Sequence, residues 1–202
     1  MSEDEFLSHY HKKITVFGSA RLSPTNKWYK EAVKLGRYLA DDGFNVVTGG
    51  GPGIMEAANR GAHSAHNVKR KKSQSPIGES IGLDIQLPLE QRKNKYVQKG
   101  RGFNYFFVRK VMLSYHASGY IFFPGGFGTL DEAFELLTLV QTNKLESVPI
   151  VLIGKEFWTP LLAWMNSTVL EKFNCISKED LNIYKLVDTA EEAYAILKSN
   201  IK

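Results

Sequence analysis

The 202-residue chain has one cysteine, Cys175, which excludes an intramolecular disulfide and, with no Cys cluster, a thiolate zinc site. A reducing compartment is the expectation. No run approaches the ~18–20 consecutive apolar residues that cross a bilayer. The first residues, Met1-Ser-Glu-Asp-Glu-Phe6, are acidic where a signal peptide is basic and then apolar. These absences predict a cytoplasmic protein with no membrane partner. Internal repeats and low-complexity tracts are missing apart from the basic run Lys69-Arg-Lys-Lys72.

What is present is ordinary for a folded domain. Hydrophobic residues make up 43% and charged residues 23%, which excludes a disordered or fibrous chain. The length fits a single domain over residues 1–202. Basic residues exceed acidic ones by 26 to 21, giving a net charge of +5. Residues 67–101 hold nine Lys or Arg against three acids, so the surplus is regional and the rest of the chain is close to neutral.

Short β-rich runs alternate with helical periods, the pattern of a parallel sheet covered on both faces. Strands are predicted at Ile14–Phe17, Phe44–Thr48, Ile81–Leu87, Tyr120–Phe123, Pro149–Ile153 and Ile183–Val187. Helices are predicted at Pro24–Asp41, Ile54–Ala65, Tyr105–His116, Leu130–Gln141, Phe157–Leu170 and Thr189–Leu197. Residues 67–76 read as a surface insertion and Pro88–Arg101 as a polar connection.

Two glycine-rich turns, Gly49-Gly-Gly-Pro-Gly53 and Pro124-Gly-Gly-Phe-Gly-Thr129, each follow a strand and precede a helix. In an open parallel sheet such turns lie at the carboxyl ends of the strands, where ligands bind. Glycine lets the backbone approach a phosphate, and the helix N-terminus offers unpaired N–H groups. The dinucleotide pattern G-x-G-x-x-G fails in both, because Ile54 and Asp131 occupy its last position. Neither turn supplies the Gly-Lys-Ser/Thr of a Walker loop. A smaller phosphate ester is the better guest.

Asp131 and Glu132 read as first-turn acids of the helix after the second loop, where they also suit the helix dipole. Glu132 follows Thr129 by three, the spacing of a capping box. Arg109 lies on the preceding helix, which the crossover can bring to the same sheet end.

Gly49-Gly-Gly-Pro-Gly-Ile-Met55, Phe107-Val-Arg-Lys110 and Pro124-Gly-Gly-Phe-Gly-Thr-Leu-Asp-Glu132 together resemble the LONELY GUY (LOG) family of nucleotide phosphoribohydrolases. That family's signature is P-G-G-x-G-T-x-x-E with an upstream R-K pair. The resemblance runs roughly from Ile14 to Val187. It implies a Rossmann-like, doubly wound α/β fold, a homodimer, and hydrolysis of the N-glycosidic bond of purine nucleoside 5′-monophosphates of the AMP type to free base and ribose 5-phosphate. Some members prefer cytokinin nucleotides.

By the same resemblance Arg109 and Glu132 are the catalytic pair, and Gly125, Gly126, Gly128 and Thr129 cradle the 5′-phosphate. Gly18, Ser19, Gly51 and Met55 line the rest of the nucleotide pocket. No metal and no cofactor is implied. A carboxylate suits the oxocarbenium-like state of glycoside cleavage, and a guanidinium suits ribose or phosphate oxygens.

The family has also carried a lysine decarboxylase label, but pyridoxal-phosphate chemistry needs a Schiff-base lysine with its partners, and no such arrangement is evident. The basic insertion departs from the simplest family pattern and bears on substrate preference. The alternative class is a non-catalytic nucleotide or single-strand nucleic-acid binder, which draws on the basic region; Glu132 and Arg109 together favour the enzyme, and nucleic acid is not the expected partner. His63 and His66, three apart, lack a third ligand nearby, and Cys175 lacks a neighbouring His. Phe103, Tyr105, Phe106 and Phe107 read as core or subunit interface, with one ring available to border the base.

Overall fold

The computed structural model describes residues 12–66, 76–85, 93–114 and 117–201, without the side chain of Phe106. Seven strands form one parallel sheet: β1 Lys13–Phe17, β2 Asn45–Thr48, β3 Ser80–Ile85, β4 Lys99–Phe103, β5 Gly119–Phe122, β6 Ile150–Ile153 and β7 Tyr184–Val187. Their spatial order is β4-β3-β2-β1-β5-β6-β7, with parallel register throughout. Among the described residues six α-helices accompany them, the last following β7: α1 Lys27–Asp41, α2 Ile54–Ala65, α3 Phe106–Ser114, α4 Phe127–Gln141, α5 Lys155–Trp164 and α6 Ala190–Asn200.

Alternation along each strand divides the core in two. Ile14, Val16, Val46, Ile121, Phe123, Val151 and Ile153 face α1, α2 and α6. Phe17, Val47, Tyr120, Phe122, Ile150 and Leu152 face α3, α4 and α5. This is the parallel sheet covered on both faces that the strand and helix pattern predicts, and the Rossmann-like, doubly wound α/β fold that the resemblance implies. Helices α1 and α2 touch backbone to backbone, because a Cβ on Gly36 would collide with the Ala58 carbonyl and one on Gly61 with that of Val33.

Several elements differ from the sequence reading. The polar connection ends in an unpredicted strand, β4, paired with β3 from Ile81↔Lys99 to Ile85↔Phe103. Its sequence, Lys-Gly-Arg-Gly-Phe, has little β-propensity and no apolar alternation; it is an edge strand, where a charged, glycine-containing sequence also discourages pairing with another chain. Helix α1 begins after Asn26, whose side chain accepts from Trp28 N, and not at Pro24. After α5 the chain widens into π-helical turns over Met165–Lys172, where one helix was expected to Leu170. Gln86 and Leu87, Tyr115 and His116, and residues 67–75 of the insertion lie outside the described residues.

The carboxyl ends of β1 and β5 are where chain progression reverses, from β1 out to β4 on one side and from β5 out to β7 on the other. Crevices at such switch points hold ligands in open α/β sheets. Ser19 ties the loops there together: its N–H donates to the Pro124 carbonyl and its carbonyl accepts from Ile54 N, each at 3.0 Å.

Candidate active site

Helix α3 is anchored by the sheet beneath it. Thr15 Oγ1 donates to the Leu113 carbonyl at 3.0 Å, and the Tyr120 hydroxyl donates to that of Ser114. Two carbonyls that the helix end leaves without partners are thereby satisfied by β1 and β5. The anchoring directs Arg109 and Lys110 to different places. Arg109 Nε donates to the Leu83 carbonyl at 2.7 Å, and Nη2 reaches that of Gly49 at 3.5 Å. A Cβ on Gly49 would collide with that guanidinium, so the first glycine loop is shaped to admit Arg109. Lys110 turns to α4, with Nζ 2.5 Å from Asp131 Oδ2 and 3.1 Å from Glu135 Oε2.

The second loop ends at Gly126, the N-cap of α4, where no side chain caps the helix. Thr129 and Glu132 therefore lie inside the helix and form no capping box with each other. Asp131 and Glu132 fall in the second turn, beyond the reach of a simple dipole explanation. Among the described residues a capping box is instead formed by Thr189 and Glu192, opening α6.

A cleft of about 940 Å³ opens at the switch point. Of the residues expected at the site, Gly18, Ser19, Met55, Arg109, Gly126, Gly128, Thr129 and Glu132 line it. Gly51 and Gly125 do not. The Gly51 carbonyl accepts from Asn94 Nδ2 at 3.0 Å, and a Cβ on Gly125 would collide with Thr129 Oγ1, so close packing requires glycine at 125. A Cβ on Gly126 or Gly128 would meet nothing within 4 Å, so packing does not require glycine at either position.

Glu132 is half-buried, and its Oε2 is buried without a hydrogen-bond partner among the described residues. Burial pushes its carboxyl up to about 7; Lys110 pulls it down, Glu135 and Asp131 push it up, and Arg109 contributes least. Burial also lowers Arg109 from its ordinary value, opposed by Glu132 and Asp84. For Lys110 burial acts downward, but the bonds to Asp131 and Glu135 outweigh it and hold the ammonium above its usual value. Among the described residues Lys110 is the lysine that lines this cleft, and an ion-paired ammonium does not fit the free amine that a Schiff base needs.

Asn94 escaped the sequence reading. It is buried, and its Nδ2 approaches the Gly50 carbonyl at 3.1 Å, that of Gly51 at 3.0 Å and Asn59 Oδ1 at 3.0 Å. Thr48, Asn59 and Ser80 extend this network beneath the loop. An Asn within a basic, polar stretch carries no local mark of such a role. Phe107 and Phe127 line the cleft, while Phe103 is core. Among the described residues no cluster of His, Cys, Asp or Glu is suited to a metal. His66 Nε2 lies 3.0 Å from the Gly78 carbonyl, and Cys175 is exposed. Lys93, Lys95 and Lys99, the exposed basic residues near β4, do not line the cleft; among the described residues its cations are Arg21, Arg109 and Lys110.

The family model described as "Possible lysine decarboxylase" matches residues 55–197. The cytokinin riboside 5′-monophosphate phosphoribohydrolase LOG of Oryza sativa subsp. japonica is 28% identical over 185 residues, covering 90% of this chain and 70% of that protein. The pyrimidine/purine nucleotide 5′-monophosphate nucleosidase of Escherichia coli (strain K12) is 31% identical over 142 residues, 62% of this chain but 28% of that protein. The molybdenum cofactor binding protein of Rippkaea orientalis shares the fold, with a TM-score of 0.66 at 22% identity, covering 95% of this chain and 98% of that one. The matched family model and the related phosphoribohydrolases show that this chain belongs to the LOG family.

Proposed function

We propose that this chain hydrolyses the N-glycosidic bond of purine nucleoside 5′-monophosphates of the AMP type, cytokinin nucleotides among them, releasing free base and ribose 5-phosphate. The observation that carries the reading is a buried carboxylate with an unpartnered oxygen, Glu132, lining one cleft with Arg109 and the uncapped start of α4. The relatives named as phosphoribohydrolases and nucleosidase support the same reaction class.

In this reading the doubly charged 5′-phosphate sits against the N-terminus of α4, where Gly126 and Gly128 leave open space. Arg109 Nη1, which meets no protein acceptor among the described residues, donates to ribose or phosphate oxygens. Glu132, titrating near neutrality, takes a proton from the water that attacks C1′ and stabilises the oxocarbenium-like state. The bond between C1′ and the base nitrogen breaks, its electron pair leaves with the base, and the proton passes to that leaving group.

Two chains pair as a homodimer, supported by the exposed apolar side chains Phe107, Val111, Phe127 and Phe134 along α3 and α4. The alternative, a non-catalytic nucleotide or single-strand nucleic-acid binder, draws on exposed Lys93, Lys95 and Lys99 and gives no role to Glu132.

Base release from AMP and from adenosine, measured in wild type and Gly128→Ala, tests the placement. Wild type should prefer AMP strongly. Gly128→Ala should raise the KM for AMP about tenfold or more, equivalent to ~1.4 kcal/mol, while leaving the fold as stable or slightly more so. Release of no base from any monophosphate, with tight salt-dependent binding to single-stranded DNA, would favour the binder.

A further inference from the structure

Arg109 and Lys110 are sequence neighbours with different surroundings. Arg109 is held by backbone carbonyls of β3 and the first glycine loop. Lys110 crosses to α4 and bridges Asp131 and Glu135, which stand one residue before and three residues after Glu132. The ammonium therefore lies over the helical turn that carries Glu132. Stability does not explain the bridge, because the Asp131 side chain is 65% exposed and ion pairs of that kind contribute roughly 1 kcal/mol or less.

The buried Oε2 of Glu132 meets no hydrogen-bond donor among the described residues, so burial acts against its charge and the neighbouring charges offset or add to that effect. The groups facing it are Arg109 and Lys110 from α3, and Asp131 and Glu135 from α4. Beneath them Tyr120 of β5, whose hydroxyl donates to the Ser114 carbonyl, is held above its ordinary value by burial and then by Glu135. Asp84 of β3 acts on Arg109, and Arg21 lines the cleft from the loop after β1.

We propose that Lys110 is a positioning residue: clamped between Asp131 and Glu135, its ammonium keeps Glu132 available as a carboxylate at neutral pH. Arg109, although the expected catalytic partner of Glu132, is the weaker charge on it. Asp131 and Glu135 act as the counterweight, holding the lysine in place while moderating its effect. The inference rests on the phosphoribohydrolase reading for its consequence in turnover, but the charge relation itself does not.

The test is a carboxyl ¹³C NMR titration of protein labelled at glutamate, with the Glu132 signal assigned by its loss in Glu132→Gln. Lys110→Met should move the Glu132 midpoint up by roughly one unit, and Lys110→Arg should restore it. Glu135→Gln, a near-isosteric change, should move it down by a smaller amount. The acid limb of the pH profile for kcat/KM should move with each midpoint. Opposite directions in Lys110→Met and Glu135→Gln are the signature, since loosened packing alone does not produce them. A midpoint unmoved in correctly folded Lys110→Met, or moved the same way by both variants, overturns the proposal. Midpoints that move as stated, without base release by wild type, overturn the phosphoribohydrolase reading alone.

Discussion

Glu132 imposes a stability cost whose sign follows from its environment. Its carboxyl titrates near 7 in the fold, against an ordinary value of 4.5, because burial disfavours the charge. The unfolded chain therefore ionises first as pH rises, and the native state loses stability from about pH 4.5 until the folded carboxyl has ionised above about 7. Glu132→Gln removes that loss. After allowance for partial solvent screening, the variant should exceed wild type by roughly 1–2 kcal/mol at pH 8 and differ little at pH 5. Urea denaturation at the two pH values measures the difference, and an equal difference at both would show that Glu132 is not held in its neutral form. The residue was legible in the sequence because the P-G-G-x-G-T-x-x-E spacing marks it. Its unpartnered oxygen and its pairing with Lys110 through Asp131 and Glu135 were not, since they depend on how α3 crosses α4.

At the scale of elements, α3 is held by its end. Thr15 and Tyr120 satisfy the carbonyls of Leu113 and Ser114, and the helix carries Arg109 and Lys110 into the cleft. Tyr120→Phe leaves the buried Ser114 carbonyl without its donor and should cost roughly 1–2 kcal/mol of stability. The same variant should lower kcat at temperatures far below its Tm, because both cationic side chains ride on the released helix. Full activity in a destabilised Tyr120→Phe protein would show that this anchor does not position them.

Helix α3 and the strands around it follow apolar periods and were readable. Strand β4 was not, because pairing with β3 and not its own residues makes Lys99–Phe103 extended. The start of α4 was misplaced by three residues, since Gly126, Phe127 and Gly128 carry no capping side chain to mark it. Gly51 and Gly125 stand in motifs that point to the pocket but do not line the cleft: the Gly51 carbonyl accepts from Asn94, and Gly125 packs against Thr129.

For the whole molecule, the strand order sets the location of the candidate site, and the exposed aromatics bear on the proposed homodimer. Phe107 is 76% exposed and Phe127 93%, a state that a second subunit would relieve. Val111 and Phe134 belong to the same pair of helices but do not line the cleft. Val111→Asp combined with Phe134→Asp should convert a dimer to a monomer in analytical ultracentrifugation. An unchanged mass, or a monomeric wild type, would place any assembly elsewhere.

The central claim concerns which bond breaks, and isotope placement decides it. With AMP in H₂¹⁸O, wild-type protein should release adenine and ribose 5-phosphate in equal amounts, with no labelled inorganic phosphate, and Glu132→Gln should release neither. Label in inorganic phosphate, or intact AMP after prolonged incubation with folded wild-type protein and the other purine monophosphates, would contradict it.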